Sequence, residues 1–247
     1  MSFDDPFQIQ PELRYGAPKC DQILTGRYSS IGYSWYFRQA KWALEIVNRN
    51  RELVSDLPEV ERLDNFRADT RVPRRFRAGL GAYRGSGYDR GHLVASANQD
   101  LQNIQNSETF LLSNMSPQHP QLNRRLWRIL EERVRELDAR PEILETYVLT
   151  CPVFYFGEKI ETIGDEDDEY GIDVPIPHAF IKSVLAEDDR GRLGLWTFEM
   201  KNQPLDGELA DYLTVTYDAE QIVGGVFWDR IAGSDLHEQK KTPRPMW

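Results

Sequence analysis

The chain has 247 residues, 40% of them hydrophobic and 11% aromatic, which is enough for one large domain or two small ones. No apolar run approaches the roughly 20 residues of a membrane span. Two cysteines, Cys20 and Cys151, exclude a disulfide framework and a zinc-finger spacing and are expected as free thiols. The formal net charge of -10 argues against indiscriminate binding to a polyanion, but it is unevenly spread. Between Arg62 and His92 eight arginines (Arg62, Arg67, Arg71, Arg74, Arg75, Arg77, Arg84, Arg90) stand against three acids (Asp64, Asp69, Asp89). From Glu158 to Asp189 the balance reverses around GDEDDEYGID. The arginine run leaves room for a local phosphate-binding face, whereas the acidic run reads as a solvated surface.

In chain order, Met1 to Gly16 is read as an arm, residues 17–233 as a single domain and 234–247 as a polar, loose tail. The acidic, polar start has neither signal-peptide nor transit-peptide character. Location is therefore mitochondrial, if a presequence has been removed, or cytoplasmic. Tyr28 to Tyr36 alternates as a strand, and Trp42, Leu44 and Ile46 place a second strand within Arg38 to Val47. Val54 to Pro73 reads as a surface loop and Leu93 to Ile104 as a connection. Thr109 to Met115 (TFLLSNM) suits a short buried strand and Pro117 to Pro120 a turn. Leu122 to Asp138 is the clearest helix, with Leu122, Leu126, Ile129, Leu130, Val134 and Leu137 on one stripe and Pro141 as its stop. Tyr147 to Phe156 reads as a core strand. Ile176 to Leu185 and Leu193 to Met200 read as an antiparallel pair. Ile222 to Phe227 fits either a last strand or a helix start. The elements predict an α+β fold: a mixed, largely antiparallel central sheet with flanking helices.

Chemistry concentrates in Tyr83 to Ala97, YRGSGYDRGHLVASA. Gly85 and Gly87 set up a turn, and Asp89-Arg90-Gly91-His92 runs from it into an apolar stretch. Histidine can take a proton from water near neutral pH, and arginine offers a phosphate a planar fork of donors. The bland alternative is a surface ion pair beside a structural histidine. Two further features weigh against it. One is the strand leading to Asn114-Met115-Ser116-Pro117-Gln118. The other is the helix from Asn123, on which Asn123, Trp127 and Glu131 recur every four residues along the edge of the apolar stripe. Singly, Asn123 reads as a cap and Glu131 as a solvated carboxylate. Together, one amide oxygen and an outlying carboxylate suit a hard cation that keeps most of its waters, as magnesium does. Such a group supports phosphodiester hydrolysis, with His92 deprotonating a water, the metal stabilising charge on the phosphate and leaving oxygen, and Arg90 adding charge at phosphorus.

YRGSGYDRGHLVASAN followed by LLSNMSPQHPQLNRRLW strongly resembles the DNA/RNA non-specific endonucleases of the ββα-metal (His-Me finger) class. The dense match spans Phe76 to Glu131, with weaker similarity from Tyr15 through CPVFYF and VPIPHAFIKSVL. The resemblance implies a ββα-metal motif, with His92 as general base, Asn123 as the one direct protein ligand to Mg2+ (Mn2+ as an alternative), and Glu131 orienting metal-bound water. Arg90 and Asn114 match residues that support the phosphate and the site, and Asp89 matches an acid acting behind the ligand. Arg84, Arg90 and Arg124 are the expected substrate contacts. Family members cut DNA and RNA with little sequence preference and leave 5′-phosphates, and members of this kind form homodimers. Thr150-Cys151-Pro152 stands where Thr-Gly-Pro is expected, and Glu161 to Asp173 reads as an acidic insertion suited to repelling nucleic acid or to binding an inhibitor or regulatory partner.

Two readings from other classes stay open: a nucleic-acid-binding or regulatory homologue that has lost catalysis, and a phosphodiesterase acting on small substrates. The arginine run suits a long polyanion better than a small substrate. His119 reads as a solvated turn residue, His178 as structural, and His237 as part of the tail; none has zinc-like spacing to cysteine.

Overall fold

The computed structural model describes residues 10–47, 60–164, 171, 173–231 and 233–247. Its strands are β1 (Gln22–Thr25), β2 (Ser29–Ser34), β3 (Gln39–Ile46), β4 (Asp89–His92), β5 (Met115–Gln118), β6 (Ile143–Val153), β7 (Thr162–Ile163), β8 (Val174–Pro175), β9 (Ala179–Asp188) and β10 (Leu193–Lys201). Its α-helices are α1 (Asn103–Glu108), α2 (Pro120–Leu122), α3 (Arg128–Asp138), α4 (Thr216–Val223) and α5 (Ser234–Lys241). Six strands make one antiparallel sheet in the order β1-β2-β3-β6-β9-β10, and β4-β5 and β7-β8 form separate two-stranded ladders. The expected α+β class and antiparallel sheet are both present.

The sheet is buried on both faces because its long strands carry apolar residues on both sides of the period-2 alternation. On one face Ala43, Val148, Phe180, Val184, Phe198 and Met200 pack against Leu122, Leu126, Trp127, Leu130 and Val134. On the other, Leu44, Tyr147, Leu149, Cys151, Ile181 and Leu195 pack against Leu13, Ala219, Phe227, Trp228 and Leu236. The first face presses the site helix onto the sheet. Cys151 belongs to the second face, so the Thr-Cys-Pro departure turns its thiol away from the site. Burial also pushes that thiol's pKa up, leaving it an inert apolar group. Both cysteines are free.

Several expected boundaries move. The segment read as a strand over 109–115 is a 3-10 turn, Leu112–Asn114, that feeds β5. The expected turn over 117–120 instead holds the end of β5 and the start of α2. The long helix therefore begins at Pro120, two residues earlier than the periodicity suggested. Pro120 takes the first helical position, where no N–H is needed, and the His119 ring nitrogen Nδ1 accepts the Gln121 N–H at 3.2 Å as the cap. His119 is thus a helix cap rather than a solvated turn residue, and Asn123 is freed from capping. Residues 222–227 hold the end of α4 and a loop closed by Gly224 in the left-handed region (φ 67°).

The tail is not loose. It forms α5, and Trp247 then lies against Trp196 and Phe198, with ring centroids 5.1 and 5.9 Å away. The Trp247 indole N–H donates to the Arg133 carbonyl of α3 at 3.0 Å. Aromatic burial outweighs the segment's polar composition here. The expected loop over 54–73 lies partly outside the described residues, as does the acidic stretch at 165–170 and 172. No helix of the described residues is long and apolar enough to cross a membrane.

Candidate active site

The β4-β5 hairpin sets the geometry. Gly85 and Gly87 take positive φ (68° and 81°) in the preceding turn. In the ladder Asp89 faces Gln118, Arg90 faces Pro117, Gly91 faces Ser116 and His92 faces Met115. A Cβ at position 91 would lie 2.3 Å from Gln118 Oε1, so only glycine fits there. Alternation puts Arg90 and His92 on one side of β4 and Asp89 on the other. On the Arg90 side, Phe66 packs against both residues: the guanidinium carbon is 4.0 Å and the imidazole centroid 5.8 Å from its ring centre. Phe110 meets the imidazole edge-on at 5.1 Å.

His92 is held neutral. Burial first, then the positive charges of Arg62 and Arg90, push its pKa down to about 3. Its Nε2 is closed off from solvent and has no hydrogen-bond partner, although the residue as a whole is half-buried. An imidazole in this state keeps its lone pair available at every pH above the acid range.

On the opposite side of β4, the Asp89 carboxylate organises the helix. Its Oδ2 accepts the Asn123 Nδ2–H at 3.0 Å, and Arg124 donates to both of its oxygens at 2.9 and 2.6 Å. Burial alone would raise the Asp89 carboxyl. Hydrogen bonds from Arg124 and Asn123, and the charges of Arg124 and Arg90, outweigh burial and hold it below the usual carboxylate range. With the Asn123 amide nitrogen bound, its carbonyl oxygen is turned away from Asp89, and none of the described groups donates to it. Asn123 also opens a five-residue π-helical segment, Asn123–Trp127, between α2 and α3. One such turn widens the helix and re-aims a side chain, a feature common at functional sites. Its presence at Asn123 was not legible from spacing alone. Arg124, expected at the substrate, spends its donors on Asp89 while most of its side chain stays exposed.

Asn114 contacts backbone only. Its Oδ1 accepts the Val94 N–H at 2.9 Å, and its Nδ2 donates to the Val94 and Thr109 carbonyls at 3.0 and 2.9 Å. The Asn114 carbonyl accepts the Leu93 N–H at 3.1 Å. The side chain thus extends the hairpin ladder two residues beyond His92 and pins the imidazole in place. Asn114→Ala leaves up to three buried backbone groups without this partner, so a loss of about 3 kcal/mol in urea unfolding is expected. A loss under about 1 kcal/mol would show that the clamp does not hold the strand.

Glu131 is half-buried on α3 and carries a raised pKa. Burial is the main cause, opposed in order by Lys182, Arg135 and Arg62. None of these three neighbours was among the site residues expected from the sequence. Lys182 is 1% exposed on β9, hidden in sequence within an apolar strand. Arg62 was legible only as one member of the arginine run. Its Nη1 donates to Ser96 Oγ at 2.7 Å, its Nε to Asp64 at 2.7 Å, and its charge acts on both His92 and Glu131.

The arginine run divides in two. Arg71 is locked on buried Asp69, while Arg67 and Arg77 donate to backbone carbonyls. Arg74, Arg75, Arg84 and Arg90 are exposed and have no ion-pair partner among the described residues. Arg84 and Arg90 line an open groove of about 400 Å³ with Leu80, Tyr83, Tyr88 and Asp89, which reaches the candidate site through Asp89. Among the described residues no group of three or more His, Cys, Asp or Glu forms a metal cage. A divalent ion here would have Asn123 Oδ1 as its protein ligand, with Glu131 eight residues along the helix. This small oxygen set fits a cation that keeps most of its waters.

The hairpin thus carries a neutral histidine and, through Asp89, holds an asparagine of the site helix. The chain belongs to the DNA/RNA non-specific endonuclease family, whose model matches residues 12–233. Among curated relatives, the mitochondrial endonuclease G of Homo sapiens is 34% identical over 197 residues, covering 78% of this chain and 64% of its own length. Nuclease C1 of Cunninghamella echinulata var. echinulata is 29% identical over 235 residues, covering 91% and 90%. The chain thus spans under two thirds of the endonuclease G relatives it matches. A solved EndoG/EndoGI complex, described as giving the mechanism of EndoG inhibition, superposes with a TM-score of 0.81. It is 30% identical and covers 92% of this chain and 94% of that one. The expected membership of the DNA/RNA non-specific endonuclease family is therefore met at both the sequence and the fold level.

Proposed function

We propose that this chain is a divalent-metal-dependent, sugar-non-specific endonuclease that hydrolyses phosphodiester bonds of DNA and RNA and leaves 5′-phosphates, its nuclease domain taking in Leu13, α5 and Trp247 as well as residues 17–233. The observation that carries this is the double use of β4: Asp89 orients Asn123 on one side, while the other side presents a neutral His92 beside Arg90.

Asn123 would hold the cation, Mg2+ or Mn2+, through Oδ1, with Glu131 as the nearby carboxylate. A bound divalent ion supplies Lewis-acid stabilisation of charge at phosphorus and at the leaving oxygen. Arg90 and Arg62 hold the phosphate by charge and donor geometry. His92 takes the proton of the attacking water; with Nε2 closed off, Nδ1 is the nitrogen that meets it. Two of the three causes that depress His92 are the charges of Arg62 and Arg90. Burial, the largest cause, remains when substrate binds, but a phosphodiester near these guanidiniums offsets their share and moves His92 upward, toward the range where a general base works best. Arg84, Arg74 and Arg75 extend the cationic face along a polymer.

An inhibitor protein and a second copy of the chain are the proposed protein partners. The first is supported by the EndoG/EndoGI neighbour and the second by the family likeness alone.

The test is incubation with supercoiled plasmid and with single-stranded RNA, each in Mg2+, Mn2+ or chelator. Cutting of both polymers only with metal is expected, with ends that ligase accepts without prior phosphorylation and rates that fall steeply with salt. Absence of cleavage by the folded protein in every divalent ion would contradict the proposal.

A further inference from the structure

One buried charged group is not used by the mechanism above. On the site-helix face of the sheet, β9 presents Phe180, Lys182, Val184 and Ala186 in alternation. Three are apolar, and the fourth is an ammonium that is 1% exposed. Its Nζ donates to Thr150 Oγ1 at 3.1 Å, from the paired position on β6, and lies 4.5 Å from the centre of the Trp127 ring. Among the described residues no carboxylate comes within 4 Å of it. Methionine would fill the same space without the cost of removing a charge from water. The fold bears that cost directly beneath the helix that carries Asn123 and Glu131.

Its electrostatic partners are Glu131 on α3 and Glu45 on β3, with Arg135 adding an opposing positive charge. Glu45 is also 1% exposed. It accepts the Ala95 N–H at 3.3 Å, three residues after His92, and the Gln99 Nε2–H at 3.1 Å. Negative, positive and negative groups thus run from the loop behind His92, through the sheet, to the site helix.

We infer that Lys182, with buried Glu45 two strands away, is a positioning residue of the nuclease site: its ammonium, held under Trp127 by Thr150, seats the stretch of helix that joins Asn123 to Glu131. This rests on the nuclease reading. Burial acts on all three groups, raising the Glu45 carboxyl to about 7, raising Glu131 and lowering Lys182. Each carboxylate stays charged more readily because the lysine is there. Without it, Glu131 faces only Arg135 and Arg62 as cations, and Arg62 is the one the substrate phosphate would take up.

The test compares wild type, Lys182→Met, Lys182→Arg and the double variant Lys182→Met with Glu45→Gln. Each is assayed for kcat and KM on one plasmid substrate and for urea unfolding. Lys182→Met is expected to lower kcat by about ten- to a hundredfold with KM nearly unchanged. Lys182→Arg, which keeps the charge, should recover part of it. The double variant removes both members of the buried pair, so it should regain stability but not kcat. It also carries the test if the single variant fails to fold. Recovery of kcat to within about twofold of wild type in the double variant would make the pair purely structural and overturn the inference. Wild type serves as the control: if it does not cut, the nuclease reading fails, whereas a cutting wild type with an equally active double variant sinks this inference alone.

Discussion

Replacing His92 with glutamine is expected to reduce cleavage by about a hundred- to ten-thousandfold, the usual contribution of a positioned general base, and to make the protein more resistant to acid. The two effects have one cause. In the unfolded chain this imidazole binds a proton near pH 6.5, and in the folded protein only near pH 3. Between those values unfolding takes up a proton, so stability rises with pH across the window and is lost as pH falls from about 6.5 toward 3. Glutamine has nothing to protonate and removes that loss. Urea unfolding of both proteins at pH 7 and pH 5 checks this. The gap between the two pH values should be smaller in the variant, while cleavage at pH 7 nearly vanishes. Equal acid sensitivity would mean that the folded protein does not hold His92 neutral.

Asn123→Ala should have a comparable effect through a different route. The side chain is half-buried and its amide nitrogen makes one hydrogen bond, to Asp89, so folding should change by only about 1 kcal/mol. Cleavage should fall by about a hundredfold or more, because the proposed ligand to the cation is gone. Asp89→Asn separates orientation from ligation. An amide at position 89 can donate or accept, so the Asn123 side chain is no longer compelled to turn its oxygen outward. A drop of about ten- to a hundredfold is expected, the range for groups that orient a ligand. Titration of activity against Mg2+ reads both variants. An Asn123→Ala protein with the wild-type Mg2+ response would place the cation elsewhere.

The sheet, the site helix and the histidine motif were legible because each rests on local pattern. Alternation marks Trp42, Leu44 and Ile46, the apolar stripe marks Leu126, Leu130 and Val134, and a glycine turn leads into Asp-Arg-Gly-His. Features that depend on distant partners were not legible. The clamp of Asn114 on Val94 looks like any loop asparagine until the backbone it meets is known. Lys182 sits in an apolar strand whose burial composition alone cannot price, and its partners lie on β3, β6 and α3. The tail reads as polar because its six-residue stretch after α5 hides one decisive group, Trp247, which binds across the sheet to α3. The helix start was misplaced because apolar periodicity sees the stripe from Leu122 onward, whereas the His119 cap and Pro120 set the true first turn.

The most direct test of the account is a nicking assay on supercoiled plasmid with wild type and His92→Gln, each in Mg2+ and in chelator. The account predicts relaxed and linear products only from wild type with Mg2+. Equal nicking by the two proteins, or nicking by wild type in chelator, would contradict a metal-dependent site in which His92 is the base.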